Sequence, residues 1–549
     1  MRDVIGDEVA APPAPASPTS AAVAAPTLSR QVSRAMLWNA VLQPARILAG
    51  LASGIVLPTV LTMADFGTIA LLSAMAATLG LVLDLGVERA LVKFLPEIEA
   101  RYGRDGVRRA LWYAVAQKVA VLALAVALAL LFRERFFAFW RSKVDQPQTL
   151  AFFEGHRWLF FVALLLLVIF GALFDIYMQA LVSYFRQRAW NAIVLFYTVL
   201  RPLLLVGVVL LGWGVLGVVG AMVAVPLVVT LLAAWQAATV RRALAERPTQ
   251  PAAGANLFPR FVRYSALSYW IQLTEYAYSL DFILLALPGA GVIAGFKVAS
   301  SLVNNVLTAL WSPLVGVQIP LFARLHARDD DRQLSEAYAV LSKFLVALLL
   351  PAAVGLTLLV GNLLASVWPK YAAYTPVARI LTVGLFLDAA ISVPLAVLMA
   401  YERYRPMLIA RTAALVAVPL VLLVVPRTGA VGAALVMVGV RLATDGLAMA
   451  LAARELPLRY PLAFAGRVAL ATAAMALVVA PVALLLLAPP AGLAAGPRAG
   501  YLLANLALGG AGAAIFVAAF RLTGGLDPAD RRRIGELRLP GARHVLRFI

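Results

Sequence analysis

Ionisable side chains stand where they are most expensive, inside long apolar runs. The bases are Arg46, Arg201, Lys297, Arg379, Arg411 and Arg441; the acids are Asp84, Asp175, Glu275, Asp281, Asp388 and Asp445. A charge at the centre of a bilayer costs at least ~2.5–3.5 kcal/mol, so such a group faces protein or a water-filled cavity rather than lipid. Guanidinium binds phosphate through two parallel hydrogen bonds and keeps its charge, which makes buried bases fit to hold an anion. Arg46, Lys297, Arg201 and Arg379 are the candidate cavity cations. Glu275, Asp281 and Asp388 are candidates for binding a coupling proton or sodium ion.

Each candidate also has a structural reading. Asp84 and Glu88 lie four residues apart on one helix face, where two carboxylates repel and favour sharing a proton or cation. They join the coupling candidates, although a solvated face beside Arg89 competes. Arg441 and Asp445 have the same spacing, that of a structural ion pair. Arg411 lies near a span end, within snorkelling reach of water. Arg201 precedes Pro202, whose kink frees carbonyls for it to serve. Asp281 can pair with Lys297 across the short 287–291 turn.

These residues need helices to hold them. With 63% hydrophobic and 13% charged residues and a mean hydropathy of +0.89, the chain lacks the roughly one-quarter charge that covers a soluble protein. About fourteen runs of roughly twenty apolar residues are present, each long enough to cross the hydrocarbon core. The net charge of +20 is dispersed between these runs. That suits anionic phospholipid and topology control rather than nucleic acid. With the amino terminus inside, the cytoplasmic connections carry Lys93 to Arg109, Arg186 and Arg188, Arg241 to Arg263, Arg324 to Arg332, Arg403 and Arg405, and Arg454 and Arg459. Residues 62–65, 211–215 and 287–291 on the other side have no base at all. The exception is the connection 133–157, whose aromatics (Phe136, Phe137, Phe139, Trp140, Phe152, Phe153, Trp158) read as an interfacial belt.

The expected fold is an all-α polytopic membrane protein with about fourteen transmembrane helices and both termini cytoplasmic. Residues 1–29 are an Ala/Pro/Ser-rich tail expected to be disordered. Residues 30–240 form a six-helix bundle, 241–258 a cytoplasmic linker and 259–455 a second six-helix bundle. Two further helices follow at 456–523, then a basic tail at 524–549. Six crossings is an even number, so both bundles enter from the same side, as in a parallel repeat. Trp38 and Trp270 open the two halves alike. The preference for Arg, Ala and Leu is that of a GC-rich bacterial genome, placing the chain in a bacterial cytoplasmic membrane.

Short motifs add a resemblance. Asp65-Phe66-Gly67 fills the first outer turn, Asp84-Leu85-Gly86 comes late in the second helix, and Lys93-Phe94-Leu95-Pro96-Glu97 follows. SLDFILLALPGAGVIAGFKVASSL, with Asp281, Gly289 and Gly295, repeats the flavour in helices seven and eight. Over residues 30–455 the chain resembles the multidrug/oligosaccharidyl-lipid/polysaccharide exporter superfamily, in particular its polysaccharide (O-antigen or exopolysaccharide) flippase branch. The resemblance implies two six-helix bundles that carry an undecaprenyl-diphosphate-linked glycan between leaflets by alternating access. Polysaccharide polymerase or export machinery would be its partner. Phe296-Lys297 departs from the pattern, where tyrosine is more usual after the glycine.

Other chemistry is excluded or unsupported. There is no cysteine, which removes thiol catalysis, disulfides and Fe–S clusters. No lysine follows a glycine, so no G-x-x-x-x-G-K-[ST] phosphate loop exists. His156, His326 and His544 fall in connections or the tail, away from any mid-membrane metal site. No cofactor or catalytic constellation is expected. Outward movement of two negative charges from a cell at ~100 mV gains about 4–5 kcal/mol, so the membrane potential or an ion gradient is driving force enough. Three alternatives stand: a cation-coupled drug or metabolite antiporter, a flippase for lipid-linked peptidoglycan precursor, and a membrane-embedded glycosyltransferase, polymerase or ligase. The antiporter favours an acidic cavity, and the enzymes a large external catalytic loop.

Overall fold

Thr62 accepts a hydrogen bond from the Asp65 backbone through its side chain, which caps a helix whose next twenty residues contain one charge, Asp65. That helix, α1 (Met63–Val82), begins the labelled elements of a computed structural model. The structure describes residues 54–525 apart from 145, 184–186, 243–256, 327–330, 402, 459 and 491. Arg46 and the tail 1–29 lie outside the described residues, as do most of the linker 241–258 and of the tail 524–549.

The chain continues through α2 (Val87–Leu131), α3 (Arg133–Arg141), α4 (Pro147–Ser183), α5 (Gln187–Leu210) and α6 (Gly214–Arg242). The second half holds α7 (Leu257–Tyr276), α8 (Leu280–Ala286), α9 (Ala290–His326), α10 (Asp331–Val367), a 3₁₀ turn (Pro369–Tyr374), α11 (Thr375–Ile391) and α12 (Val393–Ala400). It ends with α13 (Tyr404–Ala413), α14 (Ala417–Glu455), α15 (Leu462–Pro481) and α16 (Ala495–Leu522). The described residues contain no strand. In lipid every backbone polar group must be satisfied within the segment, and only helices do that without closing a barrel.

Two glycines turn long helices back on themselves. Gly103 (φ 59°, ψ −154°) folds α2 into a leg before it and a crossing at Asp105–Leu131. Gly429 (φ 63°, ψ −147°) divides α14, so that Arg405–Glu455 supplies two crossings. Eleven described stretches are long and apolar enough to span a membrane. Counting Arg405–Glu455 twice and adding the α7–α8 pair gives thirteen among the described residues. The first run expected from sequence lies mostly outside them. The protein is a multi-pass, all-α membrane protein.

Within the first half α4 packs on α2 and α6, and α6 on α5; within the second, α11 packs on α10, α9 and α14. The hairpin α15–α16 docks on α10. The halves meet through α1, which lies against α8 and α9, and through α2 against α7.

The connection 133–157 differs from expectation. It is mostly helical, and Phe137, Trp140 and Phe153 are buried rather than presented to the interface. Trp140 stacks on Phe153 at 5.2 Å with the rings 2° apart. The charged residues of RERFFAFWR face out while its aromatics pack down on α4, so this short helix builds its own core. Of the seven aromatics Trp158, at 48% exposure, is the one that stands exposed, while Phe136, Phe139 and Phe152 are half-buried. His156 consequently stands in the first turns of α4 rather than in a loop.

Candidate substrate cavity and buried ion pairs

A cavity of about 370 Å³ lies between the halves. Gly54 and Pro58 wall it from the stretch before α1, Ser73 from α1, Arg201 from α5, and Lys297 and Ser301 from α9. Two of the four predicted cavity cations thus enter one space from opposite halves. Arg201 is steadied by its own helix: Nη1 donates to the Tyr197 hydroxyl at 3.0 Å, and the guanidinium lies 5.8 Å from that ring's centre. Its partner is therefore a side chain one turn back, not a carbonyl freed by Pro202. Lys297 has no ion pair of 4 Å or less among the described residues; Asp281 and Arg201 are the charges acting on it. Two cations from opposite halves thus line the same space.

Arg379 is elsewhere. Its side chain is exposed, and a guanidinium nitrogen lies 3.8 Å from where a Cβ on Gly361 of α10 would stand. The buried face of α11 is Val377, Ala378, Leu381 and Leu385. At 100° per residue, position 379 turns away from it. This prediction is corrected: Arg379 does not line the cavity. Arg46 lies outside the described residues.

The predicted coupling acids separate into three places. Asp281 stays near Lys297. Asp84 and Glu88 are not on a solvated face: they are 7% and 9% exposed and converge on Lys118, which is 4% exposed. Lys118 Nζ donates to Glu88 at 2.8 Å and Asp84 at 3.4 Å. Thirty residues along a straight helix is about 45 Å, so the fold at Gly103 is what returns Lys118 to Glu88. Asp84 sits in the break between α1 and α2, where Leu85 (φ 57°) and Gly86 (φ 70°) both take the left-handed conformation. Asp175 on α4 adds a third carboxylate within electrostatic reach of Lys118. The sequence reading passes over Lys118, although it meets the criterion applied to Arg201, a lone cation inside an apolar run.

The third place is in the second half. Arg411 Nη2 lies 3.5 Å from Glu275, and its Nη1 bonds the Tyr278 hydroxyl. Arg411 is thus a paired group, not a snorkelling one. Arg441 Nη1 lies 3.6 Å from Asp388 on α11. The i, i+4 spacing suggested Asp445 as its partner, but the shorter contact is with the neighbouring helix. Asp445 instead comes against Asp388. The Asp388 Oδ1 and Arg441 Nε atoms are buried with no hydrogen-bond partner.

The helices meet around a charged cavity between the two halves, with the α15–α16 hairpin docked on one of them. The chain superposes on a structure described as the lipid II flippase MurJ in an inward closed conformation with a TM-score of 0.67. That alignment covers 88% of this chain and 98% of the other at 13% identity. A structure described as a multidrug resistance MATE family transporter of the MOP superfamily, in its inward-facing conformation, aligns with a TM-score of 0.54. It covers 75% of this chain and 94% of the other at 15% identity. By sequence, no family model and no curated protein matches.

Proposed function

We propose that this chain is a flippase that moves a polyprenyl-diphosphate-linked oligosaccharide from the cytoplasmic to the periplasmic leaflet by alternating access. The observation that carries the reading is the placement of Arg201 and Lys297, one from each half, on the wall of one cavity. A diphosphate offers oxygens to both cations, and movement of the halves carries it across. The potential drives two negative charges outward without nucleotide. Coupling to a proton or sodium ion would use the buried acids Asp84 and Glu88, or Glu275, Asp281 and Asp388. The protein belongs in this reading to a bacterial cytoplasmic membrane with both termini inside, beside the polymerase or export machinery that takes its product.

The likeness to MurJ favours a second substrate of the same chemistry, a lipid-linked peptidoglycan precursor. Both substrates present a diphosphate, so the cavity cations serve either. The antiporter is disfavoured by two bases in the cavity, which repel a cationic drug.

Purified protein in liposomes, supplied with each lipid-linked glycan in one leaflet, tests the proposal. Arg201→Ala and Lys297→Ala should each cut translocation by tenfold or more, from loss of a charge-assisted contact worth about 1.5–3 kcal/mol. Wild-type translocation in both variants removes the cavity from the mechanism. Transfer of the peptidoglycan precursor alone selects the second substrate.

A further inference from the structure

At one end of the molecule the two halves hold each other by lysines. From the first half, Lys143, just after α3, donates to the Leu287 carbonyl at 2.7 Å. Leu287 closes α8 as its C-cap. From the second half, Lys370, in the 3₁₀ turn after α10, donates to the Leu61 carbonyl, with the Thr59 carbonyl at 3.4 Å. Those carbonyls end the helical stretch 54–60. Beside it, Trp368 Nε1 donates to the Ile55 carbonyl at 3.1 Å.

The two contacts are counterparts. Lys143 stands between the third and fourth crossings of its half, and Lys370 stands in the same place in the other. Each reaches the end of the first crossing of the opposite half. A rotation that exchanged the halves would exchange the straps. The chemistry of both ends matches as well. The last carbonyls of a helix have no partner in the helix and carry its negative end, where a cation is favoured. The long lysine stem lets one half reach that end without its backbone coming near. Each strap thus gives a charged partner to carbonyls that only water would serve if the halves parted at this end.

Between the straps the backbones touch. A Cβ built on Gly67 of α1 would lie 1.8 Å from the Ala290 carbonyl oxygen at the start of α9. Further along the same two helices, Ile69 and Ser73 of α1 and Lys297 and Ser301 of α9 line the cavity. Straps and glycine contact therefore lie together at one mouth of the cavity, beside Pro58 and Phe66 of its wall.

We propose that Lys143 and Lys370 form a reciprocal latch that holds this mouth shut, and that both carbonyl bonds must release before the cavity opens there. The proposal rests on the alternating-access reading, but it concerns the gate and not the cargo.

The chain contains no cysteine, so Ser301→Cys gives a unique reporter inside the cavity. Full-length protein is reconstituted in vesicles of both orientations and labelled with a membrane-impermeant maleimide from each side. Lys143→Met and Lys370→Met should each raise labelling from the strap side about tenfold, the effect of losing one charge-assisted hydrogen bond. The double variant should exceed either, and Lys→Arg at both positions should keep labelling low. Gly67→Ala, which wedges the closed contact, should raise strap-side labelling with both lysines in place. Unchanged strap-side labelling in the double variant, with labelling from the opposite side intact as evidence of folding, overturns the latch. If the double variant does not fold, the two single variants decide: unchanged strap-side labelling in both, with labelling from the opposite side intact, refutes the proposal. No substrate enters these assays, so they stand or fall independently of the glycolipid reading, which Arg201→Ala tests.

Discussion

In the first half one ammonium, Lys118, faces three carboxylates, Asp84, Glu88 and Asp175; in the second, two guanidiniums, Arg411 and Arg441, face Glu275, Asp388 and Asp445. The second set is nearer to charge balance, and its arginines cannot give up their protons. Tyr278 ties those arginines together, bonded to Arg411 and lying 5.3 Å beneath Arg441. The first set depends on a single point charge, split between two acids, at a broken helix. There Gly86 packs so tightly that a Cβ would lie 2.1 Å from the Ser265 carbonyl of α7. The contrast teaches that the first cluster hangs on one cation while the second divides its load between two. The first cluster stands at the α1–α2 joint that touches the opposite half. The second cluster is built as a brace.

The largest effect should come from breaking the first cluster. Lys118→Met leaves Asp84 and Glu88 buried without a counter-ion and should cost on the order of 3–5 kcal/mol. Thermal unfolding in detergent measures it, and adding Glu88→Gln should recover part of the loss. An unshifted midpoint for Lys118→Met would show that the cluster is not held by charge. Arg441→Ala should cost less, about 1–3 kcal/mol, because Arg411 remains to act on Asp388 and Asp445. A loss equal to that of Lys118→Met would erase the distinction between the clusters. Asp445→Asn should be neutral or slightly stabilising, since it removes a like charge opposite Asp388. A marked drop there would mean that Asp445 serves Arg441 after all. The baseline is Arg141→Ala: its pair with Glu154 at 2.7 Å is half exposed, and such pairs contribute less than about 1 kcal/mol.

Particular residues show how far the sequence could be read. Gly103 lies in a charged connection, Glu97 to Arg109, and Gly429 stands beside Arg427 between two apolar runs, so the alternation of arginine-rich and base-poor connections demands a turn near each. Asp388 stands out from sequence as a mid-membrane acid because an isolated charge in an apolar run admits few explanations. Its partner does not, because Arg441 is 53 positions away and a nearer acid, Asp445, satisfies every local rule. Arg379 is the converse case: a cation in an apolar run whose azimuth on α11 turns it away from the cavity.

The chain by itself determined that the protein is helical and crosses the membrane many times. Apolar runs of that length exclude water, and a backbone without water must bond within its own segment. It also determined which residues carry intramembrane charge, since each is written in the run. Only the tertiary structure decided which charges meet: Lys118 with Asp84 and Glu88, Arg411 with Glu275, and Lys143 and Lys370 with carbonyls of the opposite half. Such pairings depend on how each helix is rotated and where it stands against its neighbours, and a hundred-degree step per residue makes them invisible to any rule of spacing along one helix.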